Sequence, residues 1–141
     1  MAYALFIDQG LQDLVDIIVL NSAHDLAVGL YTNNYAPQHG DGNGNYTECA
    51  LAGYAEIPVN TLVWTPNTSP GEGSSLSATA EFTFDTYVGS VTIFGFFLVN
   101  QGNDTINAAA LLDLAYPVPN AGGTLAFTLE IATFPNTGPF P

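Results

Sequence analysis

The sequence contains no lysine and no arginine among its 141 residues. Soluble chains carry roughly 25% charged residues, about half of them basic, so on the order of 16 cations would be expected. The 13 acids form an ordinary share of the chain, so the net charge of -13 results from missing cations rather than from added acids. Because nothing here neutralises phosphates or anionic head groups, we expect no nucleic-acid partner and no membrane partner.

Cysteine and long apolar runs are also scarce. Cys49 is the single cysteine, which excludes an internal disulfide and a cysteine zinc site, and we expect it to be a small buried hydrophobe. The apolar stretches are interrupted by Asp13, Asp16, Gly95 and Asn100, so none reaches the roughly 18 residues of a membrane span. The first residues lack the positive region of a secretory signal, so we expect folding in a cytoplasm.

Catalytic motifs are missing as well. The sequence has no G-x-S-x-G, phosphate-loop, dinucleotide or H-E-x-x-H pattern, and His24 and His39 have no spacing typical of ligands or nucleophile partners. The acids are scattered, and we expect several of them to face solvent, namely Glu56, Glu81, Asp85 and Glu130. We therefore expect no enzyme activity, no catalytic residue and no cofactor.

What the chain does have is enough apolar material for one core. Hydrophobic residues make up 48% of the sequence, which is sufficient for a single domain over residues 1–141. Near the amino end, Leu11, Leu14, Val15, Ile18 and Val19 recur at helical spacing. This pattern predicts one short amphipathic helix over about 11–21.

After Asp25 the pattern changes to short β-rich runs separated by turn residues. Alternation of polar and apolar residues over 79–85 predicts a strand with one solvent-exposed and one buried face. The run VTIFGFFLV predicts a central strand that is covered on both faces. The runs together predict an all-β chain, an antiparallel, jelly-roll-like β-sandwich. The predicted strand segments are 26–32, 48–57, 60–65, 76–87, 90–100, 107–118 and 123–134.

Three other segments are predicted to lack strands. PNTSPGEGSS at 66–75 is typical of a long loop, and PVPNAGG at 117–123 is typical of a turn. PNTGPFP at about 135–141 contains too many prolines for an ordinary strand, so we expect an extended arm.

The stretch Tyr31 to Glu48 contains acids and amides among glycines. Asp41, Asn43 and Asn45 stand at positions one, three and five of a calcium loop. Position six is Tyr46 where glycine is needed, and position twelve lacks the bidentate glutamate, so an EF-hand is excluded. A calcium site of another kind, from Asp41, Asn43 and Glu48, stays open beside the interpretation of a surface loop.

The order of several short motifs resembles small structural proteins of tailed phages. In those proteins a pattern like LYTNN-x-x-P is followed by T-E-x-x-x-x-G-Y and by an aromatic-glycine strand. The matching positions here are Leu30 to Asn34 with Pro37, then Thr47, Glu48, Gly53 and Tyr54, and finally Phe94 to Val99. The resemblance covers most of the chain and implies a shared architecture without a catalytic set. The chain departs from it in lacking all cations and in its proline-rich end.

This resemblance implies a virion structural protein made in a host cytoplasm, specifically a capsid decoration or cement protein. Its expected partners are the major capsid protein and copies of itself, as a homo-oligomer and in particular a trimer. We expect the amino segment and the arm to bridge neighbours, with aromatic and proline side chains as apolar anchors. The expected interface residues are Tyr31, Tyr35, Pro135, Pro139, Phe140 and Pro141.

Two alternatives remain. One is a tail or fibre component, or a subunit of an extracellular filament. The other is a carbohydrate-binding module, in which Trp64, Tyr31 and Tyr35 would stack on sugars. Trp64 alternates with Leu62, which predicts that both side chains face the core and favours the structural interpretation.

Overall fold

The computed structural model describes residues 25–69 and 73–133. It contains seven strands in chain order, with two 3-10 helices at Asn43–Asn45 and Val59–Thr61. The helix predicted over about 11–21 and the arm predicted over about 135–141 lie outside the described residues. The strands are β1 Leu26–Tyr31, β2 Ile57–Pro58, β3 Thr65–Ser69, β4 Gly73–Phe84, β5 Thr92–Asn100, β6 Thr105–Pro117 and β7 Gly123–Thr133.

The strands form two sheets. The first has the order β2-β1-β5-β6 and the second has the order β3-β4-β7, and every pairing is antiparallel. One apolar core takes side chains from both sheets, for example Leu30 and Phe96 from the first and Ala80 and Phe82 from the second. The prediction of a mostly β fold with antiparallel sheets is confirmed for the described residues.

The side-chain pattern of β4 has the predicted alternation. Ala80, Phe82 and Phe84 are buried, whereas Glu81 and Thr83 between them are exposed. Because successive side chains of a strand point to opposite faces, one face of β4 packs on the core and the other meets solvent.

Strand β5 is covered on both faces, as its sequence predicts. Phe96 and Leu98 belong to the main core. Phe97 and Val99 point the other way into a second, smaller cluster that includes Tyr46. The segment 32–48 therefore supplies the cover that a strand apolar on both faces requires.

Two predicted strand segments are mostly irregular. Only Ile57 of segment 48–57 and Thr65 of segment 60–65 lie in strands, so these predictions are wrong in the main. Gly53 has a φ of +83°, a conformation that turns the chain and that glycine adopts without steric cost. The apolar side chains of both segments still pack on the main core, which is why their sequence looks strand-like: Leu51, Tyr54, Leu62 and Trp64.

The long loop predicted over 66–75 is also mostly wrong. Strand β3 runs through this segment and pairs with the beginning of β4. Pro66 lies in β3, which is an edge strand among the described residues, and edges are where a sheet tolerates proline. The turn predicted between β6 and β7 at 117–123 is confirmed at its centre, where Gly122 has a φ of +81°.

Candidate functional site

An open cleft beside β5 and β6 is lined by several titratable side chains. Its volume is about 400 Å³. Three carboxyl side chains line it, those of Glu48, Glu56 and Asp104. The apolar part of its wall comes from Tyr46, Phe97, Val99 and Ile106, and Asn43 and Gly44 complete the lining.

Segment 48–56, which begins with Glu48, lies along the edge of β1 that faces away from β5. The carbonyl of Leu30 accepts a hydrogen bond from the Cys49 N–H at 2.9 Å, and the N–H of Leu30 donates to the Tyr54 hydroxyl at 3.0 Å. Tyr31 and Glu48 form an isolated antiparallel bridge between these contacts. Segment 48–56 therefore completes the edge of β1 where the two-residue β2 does not reach.

Tyr54 connects this backbone edge to the acids. Its hydroxyl accepts from Leu30 and donates to Oε1 of Glu48 at 3.1 Å. Burial is the main reason why the pKa of Tyr54 lies well above its ordinary value, and the nearby carboxylates raise it further. Tyr54 thus stays a neutral hydrogen-bond donor to Glu48 over the ordinary pH range.

Glu48 and Glu56 form a carboxyl pair. Partial burial raises the pKa of Glu48, and the charge of Glu56 and a side-chain hydrogen bond with Glu56 raise it further, against the lowering effect of Tyr54. Glu56 also accepts a hydrogen bond from Nε2 of Gln101 at 2.6 Å. The two carboxyl groups thus lie close enough for the charge of one to raise the pKa of the other.

Asp104 approaches from the turn between β5 and β6. Its charge also raises the pKa of Glu48, and its φ of 55° places it in the left-handed region, where aspartate is enriched. Turn residues Gly102 and Thr105 donate backbone hydrogen bonds to Asn100 and Asn103 side chains. This turn geometry holds a third negative charge at the cleft.

The cleft presents three carboxyl groups, those of Glu48, Glu56 and Asp104. Within residues 25–69 and 73–133, no group of three or more His, Cys, Asp or Glu side chains has a metal-binding arrangement. The predicted burial of Cys49 is confirmed, and burial raises the pKa of its thiol, which disfavours the thiolate that a nucleophile requires.

Segment 32–48 is organised around Asp41. The Asp41 carboxylate accepts hydrogen bonds from the Gln38 N–H at 2.8 Å, the Tyr35 hydroxyl at 2.9 Å and the Tyr46 hydroxyl at 2.7 Å. The Gln38 bond is the largest cause that lowers the Asp41 pKa, and the two tyrosine hydroxyls lower it further. Asn45 joins the same network by donating from Nδ2 to the Tyr35 hydroxyl at 3.4 Å, and its Oδ1 accepts from the Gly42 N–H at 3.0 Å.

These contacts bear on the calcium interpretation of the segment. Asn43 and Glu48 line the cleft, whereas both Asp41 oxygens already accept hydrogen bonds from within the segment. A carboxylate with its oxygens occupied in this way serves as the acceptor that shapes a loop. The contacts favour the surface-loop interpretation over a site that shares Asp41 with the other two residues.

The expected interface residues fall into three situations. Tyr31 is 0% exposed, so its ring packs inside the chain and offers no surface to a partner, because segment 32–48 covers that face of β1. Tyr35 is partly exposed, and its hydroxyl is held by Asp41. The other four expected residues lie outside the described part: Pro135, Pro139, Phe140 and Pro141.

Trp64 and the histidines are placed as follows. The Trp64 ring packs against the main core beside Leu62, as predicted, and its indole N–H donates to the Val59 carbonyl at 3.1 Å. His39 is exposed, in a turn of segment 32–48, and His24 lies outside the described residues.

Sequence reasoning missed the convergence of Glu56, Gln101 and Asp104. Glu56 is half-buried rather than solvent-facing, because Gln101 reaches it from the turn after β5. The alignment of β1 with β5 across the sheet brings these segments together, with Leu26 opposite Asn100. Only the pairing register could have revealed this, because the residues are 45 positions apart.

No helix in the described ranges is long and apolar enough to cross a membrane. Comparison of the chain with protein-family models, with curated proteins and with solved structures finds no match in any of the three.

Proposed function

We propose that this chain is a non-enzymatic structural subunit of a tailed-phage virion, a capsid decoration protein. The proposal is supported by the positions of the three motifs that resemble the phage proteins, because these motifs contact one another in the fold. Tyr31 of the first motif pairs with Gly95 of the third, and Tyr54 of the second hydrogen-bonds Leu30 of the first. The three short motifs therefore build one continuous scaffold, which is what a resemblance in architecture requires.

The strand connections support a jelly-roll-like β-sandwich as the finer description of the fold. Strands β5 and β6 form a hairpin in the first sheet, while the flanking β4 and β7 pair in the second sheet. A hairpin nested inside another and folded across two sheets is the basic unit of a jelly roll. The turn after β6 is attached to the connection after β4, since the Tyr87 hydroxyl donates to the Val118 carbonyl at 2.7 Å.

The charge of the chain supports an external position on a DNA-filled particle. A protein with 13 acids and no Lys or Arg is repelled by nucleic acid during its synthesis and on the particle. Surfaces of the major capsid protein that present lysine or arginine would attract it, so the proposed partner surface is basic.

Apolar contacts would supply the remaining affinity. Three side chains of the described surface are almost fully exposed, those of Val63 at 84%, Val88 at 102% and Leu114 at 84%. We propose that the amino segment and residues 135–141 bridge neighbouring subunits, with the chain bound as a trimer. Binding across capsid subunits would then resist the internal pressure of packed DNA.

A tail or fibre position is the alternative within the same class. The carbohydrate-binding alternative is weaker because the Trp64 indole N–H and ring face are both engaged within the chain. Binding of the purified chain to a glycan array, lost in Trp64→Ala while the β-sheet circular dichroism is kept, would restore that alternative.

Deletion of residues 135–141 tests the proposed arm. DNA-filled shells prepared without the chain would be mixed with the full chain or with the deletion variant, and bound copies and shell survival on heating would be compared. The matched control is a variant that keeps the length but replaces the three prolines of 135–141 by serine. We expect the deletion to reduce the number of bound copies and the survival of the shells. Unchanged values for both would contradict the proposal that residues 135–141 bridge neighbouring subunits.

A further inference from the structure

The sequence contains one Asn-Gly pair, formed by Asn43 and Gly44. In such a pair the backbone nitrogen of the glycine can attack the asparagine side chain, because glycine has no Cβ atom to hinder the approach. Every other asparagine of the chain is followed by a residue with a side chain. The pair lies in the 3-10 helix Asn43–Asn45, and both of its residues are exposed. Water and the attacking nitrogen can therefore both reach the Asn43 amide.

The preceding pair, Asp41 and Gly42, could form the same cyclic intermediate, but its carboxylate is engaged. Both Asp41 oxygens accept hydrogen bonds, from one backbone N–H and from two tyrosine hydroxyls. These bonds hold the pKa of Asp41 below its ordinary value, so the group stays ionised at neutral pH, and an anion resists attack by a nucleophile. Within the described residues the Asn43 side chain has no hydrogen-bond partner. The two adjacent pairs thus differ in the freedom of the side chain that would react.

Three hydrogen bonds hold the backbone around Asn43. Asn45 N–H donates to the Gly42 carbonyl at 3.1 Å, and Gly42 N–H donates to Oδ1 of Asn45 at 3.0 Å. Tyr46 N–H donates to the Asn43 carbonyl at 3.2 Å. A 3-10 turn has poorer hydrogen-bond geometry than an α-helix, and an exposed turn opens while the rest of the fold stays closed. Opening frees Asn43 to bring its side-chain carbon onto the Gly44 nitrogen.

We propose that Asn43 is a site of spontaneous deamidation in the folded chain. The Gly44 nitrogen forms a bond to Cγ of Asn43, and the bond from Cγ to Nδ2 breaks. The proton of the Gly44 N–H leaves with the side-chain nitrogen as ammonia, and a succinimide ring remains. Water then adds to either carbonyl of the ring and opens it, which gives aspartate or isoaspartate at position 43. This modification is independent of the proposed virion function.

Both products change the cleft beside β5 and β6. Asn43 lines this cleft together with Glu48, Glu56 and Asp104, so deamidation adds a fourth carboxyl group to the lining. The net charge of -13 becomes more negative by one unit. In the isoaspartate product the main chain passes through the former side chain and is longer, which displaces the carbonyl that accepts from Tyr46 N–H. That product is therefore expected to loosen Tyr46, which covers β5 as part of the smaller cluster.

The test follows each asparagine of the intact folded chain during incubation at neutral and mildly alkaline pH. Because the chain has no Lys or Arg, a protease that cleaves at aromatic residues would replace trypsin before mass spectrometry. Gly44→Ala is the matched variant, since its Cβ atom hinders the attacking nitrogen but meets nothing within 4 Å in the fold. Circular dichroism would verify that this variant keeps its β-sheet signal.

We expect Asn43 to show the mass increase of an amide-to-acid conversion, with isoaspartate among the products, before any other asparagine does. Isoelectric focusing should show an acidic shift of one charge over the same period. In Gly44→Ala we expect conversion at Asn43 to fall to the level of the other asparagines.

The ranking of asparagines in the wild-type chain keeps the proposal falsifiable even if the variant folds poorly. Conversion of other asparagines before Asn43 would overturn the proposal, and so would conversion at Asn43 only after urea has unfolded the chain. Equal rates at Asn43 in the wild type and in a folded Gly44→Ala variant would also overturn it.

Discussion

Tyr31 lies over Gly95, its direct cross-strand partner, so that the ring takes the space where a side chain of β5 would stand. The neighbouring pair repeats this arrangement in reverse, since Phe97 of β5 lies over Gly29 of β1. A Cβ atom added at Gly29 would be 2.5 Å from two atoms of the Phe97 ring. The two glycines thus let two aromatic rings lie flat against the sheet, which is how an aromatic side chain protects a glycine in a strand.

Gly95→Ala is expected to destabilise the chain strongly. The new methyl group would overlap the Tyr31 ring and the Ala110 carbonyl, and both are held in a packed interior. Overpacking of this kind costs about 1–3 kcal/mol of unfolding free energy. Urea denaturation would measure the loss.

Gly44→Ala is the matched control, because a Cβ atom there meets nothing within 4 Å. Equal unfolding free energies for the two variants would contradict the described packing.

Tyr54→Phe is expected to cost more than the loss of an ordinary surface hydroxyl. The change leaves the Leu30 N–H without its acceptor, and an unsatisfied buried donor costs about 1–3 kcal/mol. Tyr116→Phe is the control, since its hydroxyl makes one exposed bond of 3.3 Å to the Thr124 carbonyl. Chemical denaturation of both variants would show whether Tyr54 completes the edge of β1; a smaller loss for Tyr54→Phe would count against it.

Asp41→Asn is expected to lower the melting temperature at neutral pH and to have little effect in strong acid. Hydrogen bonds hold the pKa of Asp41 below its usual 3.8, so its stabilisation is present above that value and is lost as pH falls through the folded pKa. Asp25→Asn, at an exposed position, is the control. Thermal unfolding at both pH extremes is the measurement, and a difference from wild type that does not shrink in acid would contradict this role of Asp41.

Several tyrosines are expected to ionise late in the folded chain. Burial raises the pKa of Tyr31 to about 12, and it also raises those of Tyr46 and Tyr54. Because the folded pKa exceeds the ordinary value of 10.0, this contribution to stability is lost as pH rises past that value. Ultraviolet titration of the folded chain against the chain in urea would test this, and identical curves would contradict the described burial.

Local sequence patterns predicted the strands well where burial has a simple period. The alternation around Phe82 and the doubly apolar run around Phe96 were sufficient for β4 and β5. The patterns failed for segments 48–57 and 60–65, where Leu51, Tyr54 and Trp64 pack on the core from irregular backbone. An apolar side chain indicates burial, but it does not indicate whether its backbone is a strand or a loop. Pro66 led to the opposite error, because it favoured a loop where β3 forms. A strand accepts proline at the edge of a sheet, and the sequence does not show that β3 lies at an edge.

The cleft could not be predicted from the sequence because it depends on the register between strands. Glu48 was identified only as one residue of a loop, and Glu56 was expected to face solvent. The contact of Glu56 with Gln101 depends on the pairing of β1 with β5. The burial of Tyr31 is a similar case, since the cover over its face comes from Tyr46, fifteen residues further along the chain.

Mass photometry would test the proposal that the chain is a capsid decoration protein. The 14.8 kDa chain would be mixed with DNA-filled shells prepared without it, and particle mass would be read together with shell survival on heating. We expect the chain to load in a large copy number set by the capsid symmetry and the shells to survive at higher temperature. A chain that stays free, or that adds only the mass of a complex at one vertex, would contradict it.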